Sequence, residues 1–113
     1  MAQVVLQLSY LPDGPLEAAA HFYADEIPLL RRLLEYEAAE KGEAVDALMI
    51  VFPVAGKPHQ GWQLAVVQSL ARELAPLRVN GLTGGGAATI LQTTEWLASA
   101  PGVTGQLLSV EIC

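Results

Sequence analysis

Gln68-Ser69-Leu70-Ala71-Arg72-Glu73-Leu74-Ala75-Pro76-Leu77-Arg78-Val79-Asn80-Gly81-Leu82-Thr83 decides the fold of this chain. Leu70, Ala71, Leu74 and Ala75 recur at helical spacing, so the stretch opens as the end of a buried helix. Pro76 has no backbone N–H to give and biases Ala75 away from helical dihedrals, which places the helix end there. Residues 77–82 then read as a buried strand. Gly84, Gly85 and Gly86 break it, and a second helical pattern begins at Ala87. Helix, strand, Gly-rich loop and helix in succession is the order of a parallel α/β sheet.

Working outward, residues 3–9 read as a first strand and 10–15 as a turn, with Asp13 a candidate cap. A short helix over 16–23 connects to the longest helical pattern, 25–41. Asp25 is its expected N-cap, and Pro28 is tolerable in a first turn. Ile27, Leu30, Leu33, Leu34 and Ala38 form its apolar stripe. Glu35, Glu37 and Glu40 read as a solvated face, Glu37 stands four residues before Lys41, and Gly42 suits the C-terminal stop. Residues 45–54 hold a second strand centred on 47–52, continuously apolar as a central parallel strand is. A loop over 55–60 leads to a helix over 61–75. Residues 77–82, 87–98 and 105–112 supply the third strand, the last helix and the fourth strand. Joined by right-handed crossovers, they predict one α/β domain over residues 1–113: a small Rossmann-like three-layer sandwich around a four-stranded parallel sheet.

Composition narrows the function. Net charge is −6 and the basic residues number six, with none clustered beyond Arg31-Arg32, which argues against nucleic-acid or anionic-membrane binding. No apolar run reaches the roughly 20 residues of a membrane span, and no secretory signal pattern is present. The one cysteine, Cys113, has no internal disulfide partner. A cytoplasmic setting is expected. Hydrophobic residues make up 52% of the chain, more than one small core needs, which points to apolar surface reserved for a partner.

Ser69-Leu70-Ala71-Arg72-Glu73-Leu74-Ala75-Pro76 followed by Arg78-Val79-Asn80 resembles the short-chain dehydrogenase/reductase family. Trp96-Leu97-Ala98-Ser99 and Val103-Thr104-Gly105-Gln106-Leu107-Leu108-Ser109-Val110-Glu111 are similar to that family's last helix and last strand. The resemblance implies that the four strands correspond to the family's fourth to seventh, with no counterpart here of its nucleotide-binding half. It also implies where chemistry would stand. The family uses a Ser at the end of its fifth strand and a Tyr and Lys four apart on the next helix, the Tyr as acid/base. Phe52 and Pro53 occupy the serine positions, and Gly56 and Gln60 those of the Tyr and Lys. No Tyr-x-x-x-Lys occurs in the chain, and Lys57 is out of register. A relative without catalytic residues, and without NAD(P) as cofactor, is therefore expected.

An alternative is a small nucleotide- or anion-binding module. Gly84, Gly85 and Gly86 follow a strand and open a helix, where backbone N–H groups can hold an anion. Thr89 keeps the family's spacing to a Thr near the nicotinamide, and Glu111 ends the next strand as a ribose-binding acid would. Against this, the motif lacks its last Gly or Ala, and a tight strand-to-helix turn accounts for the glycines. His21 and Asp25 lack a third metal ligand, so no metal is expected. His59, in a loop where parallel sheets bind ligands, is a candidate acid or base with no nucleophile beside it.

The helix over 61–75 carries apolar residues nearly all round. Sequence therefore predicts a self-association surface including Trp62, Val66 and Leu70, in a dimer or tetramer, or in a complex with a full-length dehydrogenase/reductase subunit.

Overall fold

The computed structural model describes residues 2–8, 10–41, 45–84, 87–100 and 102–110. Four strands, β1 (Ala2–Gln7), β2 (Val45–Phe52), β3 (Arg78–Gly84) and β4 (Leu107–Val110), form one all-parallel sheet in the order β1-β2-β3-β4. Its helices are α1 (Pro15–His21), α2 (Ile27–Lys41), α3 (Gln60–Glu73) and α4 (Ala87–Ala98). This is the small Rossmann-like α/β sandwich that the alternation of patterns implies.

Alternating strand residues serve two separate cores. Val4, Leu6 and Leu8 of the first strand and its end, with Leu48, Ile50 and Phe52 of β2, pack against Phe22, Leu30, Val66, Val67 and Leu70 from the α1–α2 and α3 side. Met49 and Val51 of β2 and Leu82 of β3 face the other way, against Ile90 and Leu97 of α4. The sheet is thus covered on both faces. The crossovers, however, do not share one hand. In a sheet whose order follows the chain, crossovers of uniform hand would all lie on one face. Since α4 lies opposite α1–α3, the β3-α4-β4 crossover takes the opposite hand to the first two, contrary to the right-handed expectation for all three.

The first crossover also differs from expectation. Asp25 caps nothing. A five-residue π-helical turn, Phe22–Glu26, joins α1 to α2 into one unbroken helix. Pro28 explains it. A proline inside a helix lacks the N–H that the fourth residue back would receive, and its ring crowds that carbonyl. The wider turn, in which the Ile27 N–H reaches back to the Phe22 carbonyl, accommodates the break. Asp13 makes no side-chain cap either; Pro15 occupies the first turn of α1 instead. Ala38, expected in the stripe, is exposed.

Helix α3 stops at Glu73, three residues before Pro76. Gly42, Ser9, Glu111, Ile112 and Cys113 lie outside the described residues, as does the side chain of Lys41.

Candidate functional site

In a parallel sheet the loops leaving the C-terminal strand ends converge, and ligands bind there. At that end, β2 gives way to Pro53-Val54-Ala55-Gly56, a 3₁₀ turn over Lys57–His59 and the start of α3. A cleft of about 240 Å³ opens between this loop and the ends of β3 and β4. Thr83 and Ser109 sit side by side on adjacent strands, in register with Phe52 and hence on the α3 face. Gln60 and Gln63, three apart on the first turn of α3, stand opposite them, with Lys57 in the loop.

The positions implied by the family resemblance fall around this cleft, but they carry none of its chemistry. Phe52 is buried in the core beside Phe22 and Trp62, with ring centroids 5.7 Å from each. Gly56 adopts φ +82°, a conformation that a tyrosine would hold only with strain. Gln60 begins α3 and offers an amide where the family has an amine.

His59, the candidate acid or base, is 4% exposed with both ring nitrogens engaged. Trp62 Nε1 donates to its Nδ1 at 3.1 Å, so Nε2 carries the ring proton and donates it to the Asp13 carbonyl at 2.9 Å. The histidine staples the loop before α1 to α3.

Of the proposed anion loop, Gly84 ends β3 at φ +79° and lines the cleft, whereas Gly85 and Gly86 lie outside the described residues. Thr89 is half-buried within α4, and its carbonyl accepts the Thr93 hydroxyl. His21 pairs with Asp25 at 3.0 Å and Glu26 at 3.4 Å, yet no group of metal-ligating side chains capable of holding an ion occurs among the described residues.

The residues expected at an association surface are placed differently. Val66 and Leu70 are buried in the chain's own core between α3 and the sheet, and Trp62 packs on Phe22 and Phe52. The exposed side of α3 is instead Gly61, Leu64, Ala65 and Gln68. The apolar residues wrapped around this helix serve two intramolecular contacts, the sheet on one side and the α1 end on the other. Exposed large apolar side chains occur in several places: Leu64 on the outer side of α3, Leu16, Leu29 and Tyr36 along α1 and α2, Val54 in the loop after β2, Val5 of β1, and Leu91 and Trp96 of α4.

Arg78 and Asn80, which carry part of the family resemblance, have structural roles that the sequence alone does not assign. The Arg78 guanidinium donates to the carbonyls of Leu97 and Ala100, both at 3.0 Å, and so closes the C-terminal end of α4. Asn80 is 3% exposed; its Nδ2 donates to the Val103 carbonyl at 3.0 Å and its Oδ1 accepts the Gln106 N–H at 3.1 Å. Thr104 Oγ1 accepts the Val79 N–H at 3.0 Å, and Gly105, at φ +72°, donates to the Val79 carbonyl at 2.7 Å. The signal was available: a polar residue on each side of Val79 in an otherwise apolar buried strand needs a partner. The two sequence blocks behind the family resemblance are therefore bonded to each other residue by residue.

No helix among the described residues is long and apolar enough to cross a membrane. No curated protein and no solved structure matches the chain significantly. The family model described as short chain dehydrogenase-like protein matches residues 6–110, spanning all four strands from the end of β1 to the end of β4. The chain belongs to the short-chain dehydrogenase-like (SDR-like) family.

Proposed function

We propose that this chain is a non-catalytic SDR-like domain that acts as an assembly subunit, associating with itself or with a full-length dehydrogenase/reductase. The observation that carries the reading is the open edge of the sheet. Strand β1 is an edge strand, and Ala2–Gln7 contains neither a charge nor a proline. Soluble proteins usually protect such edges with charges, prolines or a covering segment. Beside this edge, Val5 (44% exposed) and Leu91 (59%) line a shallow hollow between β1 and α4, because that one helix covers a face shared by four strands. An edge that can extend a sheet, beside an apolar surface, suits a strand-adding or face-packing partner.

The non-catalytic part rests on Phe52, Pro53, Gly56 and Gln60 at the family's reactive positions. An assembly role calls for neither NAD(P) nor a metal, and its partner is a protein rather than nucleic acid or membrane. A cytoplasmic setting accords with a single cysteine.

Light scattering on dilute protein tests the reading. A particle two or four times the 12.0 kDa chain, or a stoichiometric complex with a full-length relative, is expected. A 12.0 kDa species at micromolar concentration that captures no such relative would overturn it.

A further inference from the structure

The Leu8 N–H donates to the Val51 carbonyl at 3.0 Å, and the register of β1 on β2 is regular from Gln3 to Gln7. Backbone polar groups along a strand turn alternately to its two sides. Val4, Leu6 and Leu8 therefore direct their N–H and C=O groups at β2, and Gln3, Val5 and Gln7 turn theirs to the open edge. Among the described residues no backbone bond engages these outward groups. Val5 is 44% exposed, and Gln7 is exposed as well.

The order of side chains along this edge matches itself in reverse. Gln3-Val4-Val5-Leu6-Gln7 runs amide, aliphatic, aliphatic, aliphatic, amide from either end. Laid antiparallel on a second copy with Val5 opposite Val5, the strand sets Gln3 opposite the second copy's Gln7, and Gln7 opposite its Gln3. All three outward-turned residues then face one another, each opposed pair exchanging both of its N–H···O bonds. A shift of two residues leaves one of the three without another of them opposite. No residue of Ala2–Gln7 is charged, so two chains of net charge −6 meet there without setting like charges against each other. The hollow of about 250 Å³ between β1 and α4 is lined by Val5, Gln7, Ile90, Leu91 and Thr94, again without a charge.

We propose that a second copy of this chain adds to β1, antiparallel and two-fold related about the Val5 pair, joining two four-stranded sheets into one. The two-fold axis stands perpendicular to the sheet, so both α4 helices lie on one side and the hollow of each copy opens toward the other. The edge is thereby paired, and Val5 leaves solvent. This pairing rests on the assembly role proposed above and commits it to one partner and one register.

Cysteine cross-linking on a Cys113→Ser background, with diamide as the oxidant, reads the register. Opposed residues of a hydrogen-bonded pair have Cα atoms about 5.5 Å apart, within disulfide reach. Val5→Cys should cross-link to a band of twice 12.0 kDa. Gln7→Cys alone should not, since its two copies would lie about 13 Å apart. An equimolar mixture of Gln3→Cys and Gln7→Cys chains should cross-link. Hydrogen exchange on the unsubstituted chain is the second readout and needs no variant to fold. Where the chain associates, its Val5 and Gln7 amides should exchange at least about tenfold more slowly than in the diluted single chain. An associated chain overturns this pairing, and leaves the assembly role standing, if Val5→Cys stays uncross-linked, if Gln7→Cys cross-links by itself, or if those amides stay unprotected. A mass of 12.0 kDa at every concentration overturns the pairing too, and the assembly role then falls only if no full-length relative is captured.

Discussion

The side-chain carbonyl of Asn80 accepts the backbone N–H of Gln106 at 3.1 Å, across 26 residues of chain. Its amide nitrogen at the same time donates to the Val103 carbonyl, so one buried side chain holds both ends of the turn that leads into β4. Asn80→Ala leaves a donor and an acceptor unpaired away from water. Lost bonds of about 1 kcal/mol each, plus desolvation of the orphaned groups, give an expected destabilisation of about 2–4 kcal/mol in urea unfolding. A loss below about 1 kcal/mol would mean that water reaches the turn and replaces the side chain.

Arg78 acts on the other end of the same connection. Its guanidinium donates to the Leu97 carbonyl in the last turn of α4 and to the Ala100 carbonyl just beyond it, adding to the backbone N–H that each already accepts. Arg78→Met keeps the apolar stem and removes the donors. We expect about 1–2 kcal/mol of destabilisation. Hydrogen exchange should accelerate in the last turn of α4 before it changes in α3. Equal acceleration in both helices would contradict a local capping role.

Gly81 tests the packing between the two. A Cβ built on it would stand 2.8 Å from Val67 Cγ2, 2.9 Å from Leu107 Cδ1 and 3.0 Å from Phe52 Cε2. Val67 is short and β-branched and cannot swing aside, so Gly81→Ala should overpack the α3 face of the sheet by about 1–3 kcal/mol. A neutral or stabilising Gly81→Ala would show that β3 and α3 lie farther apart than these distances state.

These contacts also show what the chain made readable. Strand and helix order followed from Pro76, from the glycines after Thr83 and from the unbroken apolar run in β2, because each is a local signal that one sheet can satisfy in few ways. The hand of the last crossover was not readable: it depends on whether Leu97 meets Met49 or Leu48, a choice of face made across nearly fifty residues. The fused α1–α2 helix was masked by Pro28, which reads as a helix start and is instead absorbed by a π-helical turn. At the site, the emptied reactive positions were visible as Phe52, Pro53, Gly56 and Gln60. The role of His59 was not, since it depends on partners that only packing reveals.

The His59–Trp62 bond gives a graded pair of variants. Trp62→Phe keeps an aromatic ring against Phe22 and Phe52 and removes one hydrogen bond, for about 1 kcal/mol. His59→Ala leaves Trp62 N–H and the Asp13 carbonyl without partners and opens a cavity, for about 2–4 kcal/mol. Thermal unfolding should rank the two in that order. The reverse order would mean that the indole's packing, rather than the histidine staple, fixes the loop before α1.

Association should respond to β1 and not to the inner face of α3. Val66 has no exposed surface, so Val66→Glu places an unpaired charge in the core and should unfold the chain rather than dissociate a folded assembly. Val5 is 44% exposed on the edge strand beside Leu91. Val5→Lys sets a charge on that edge, the device by which soluble proteins keep sheet edges apart. Because the position is half-exposed, folding stability should change by no more than about 0.5–1 kcal/mol, whereas light scattering should fall to the single-chain mass of 12.0 kDa. A Val5→Lys chain that remains assembled, with Leu64→Lys on the outer side of α3 dissociating instead, would move the interface from the open sheet edge to the exposed face of α3.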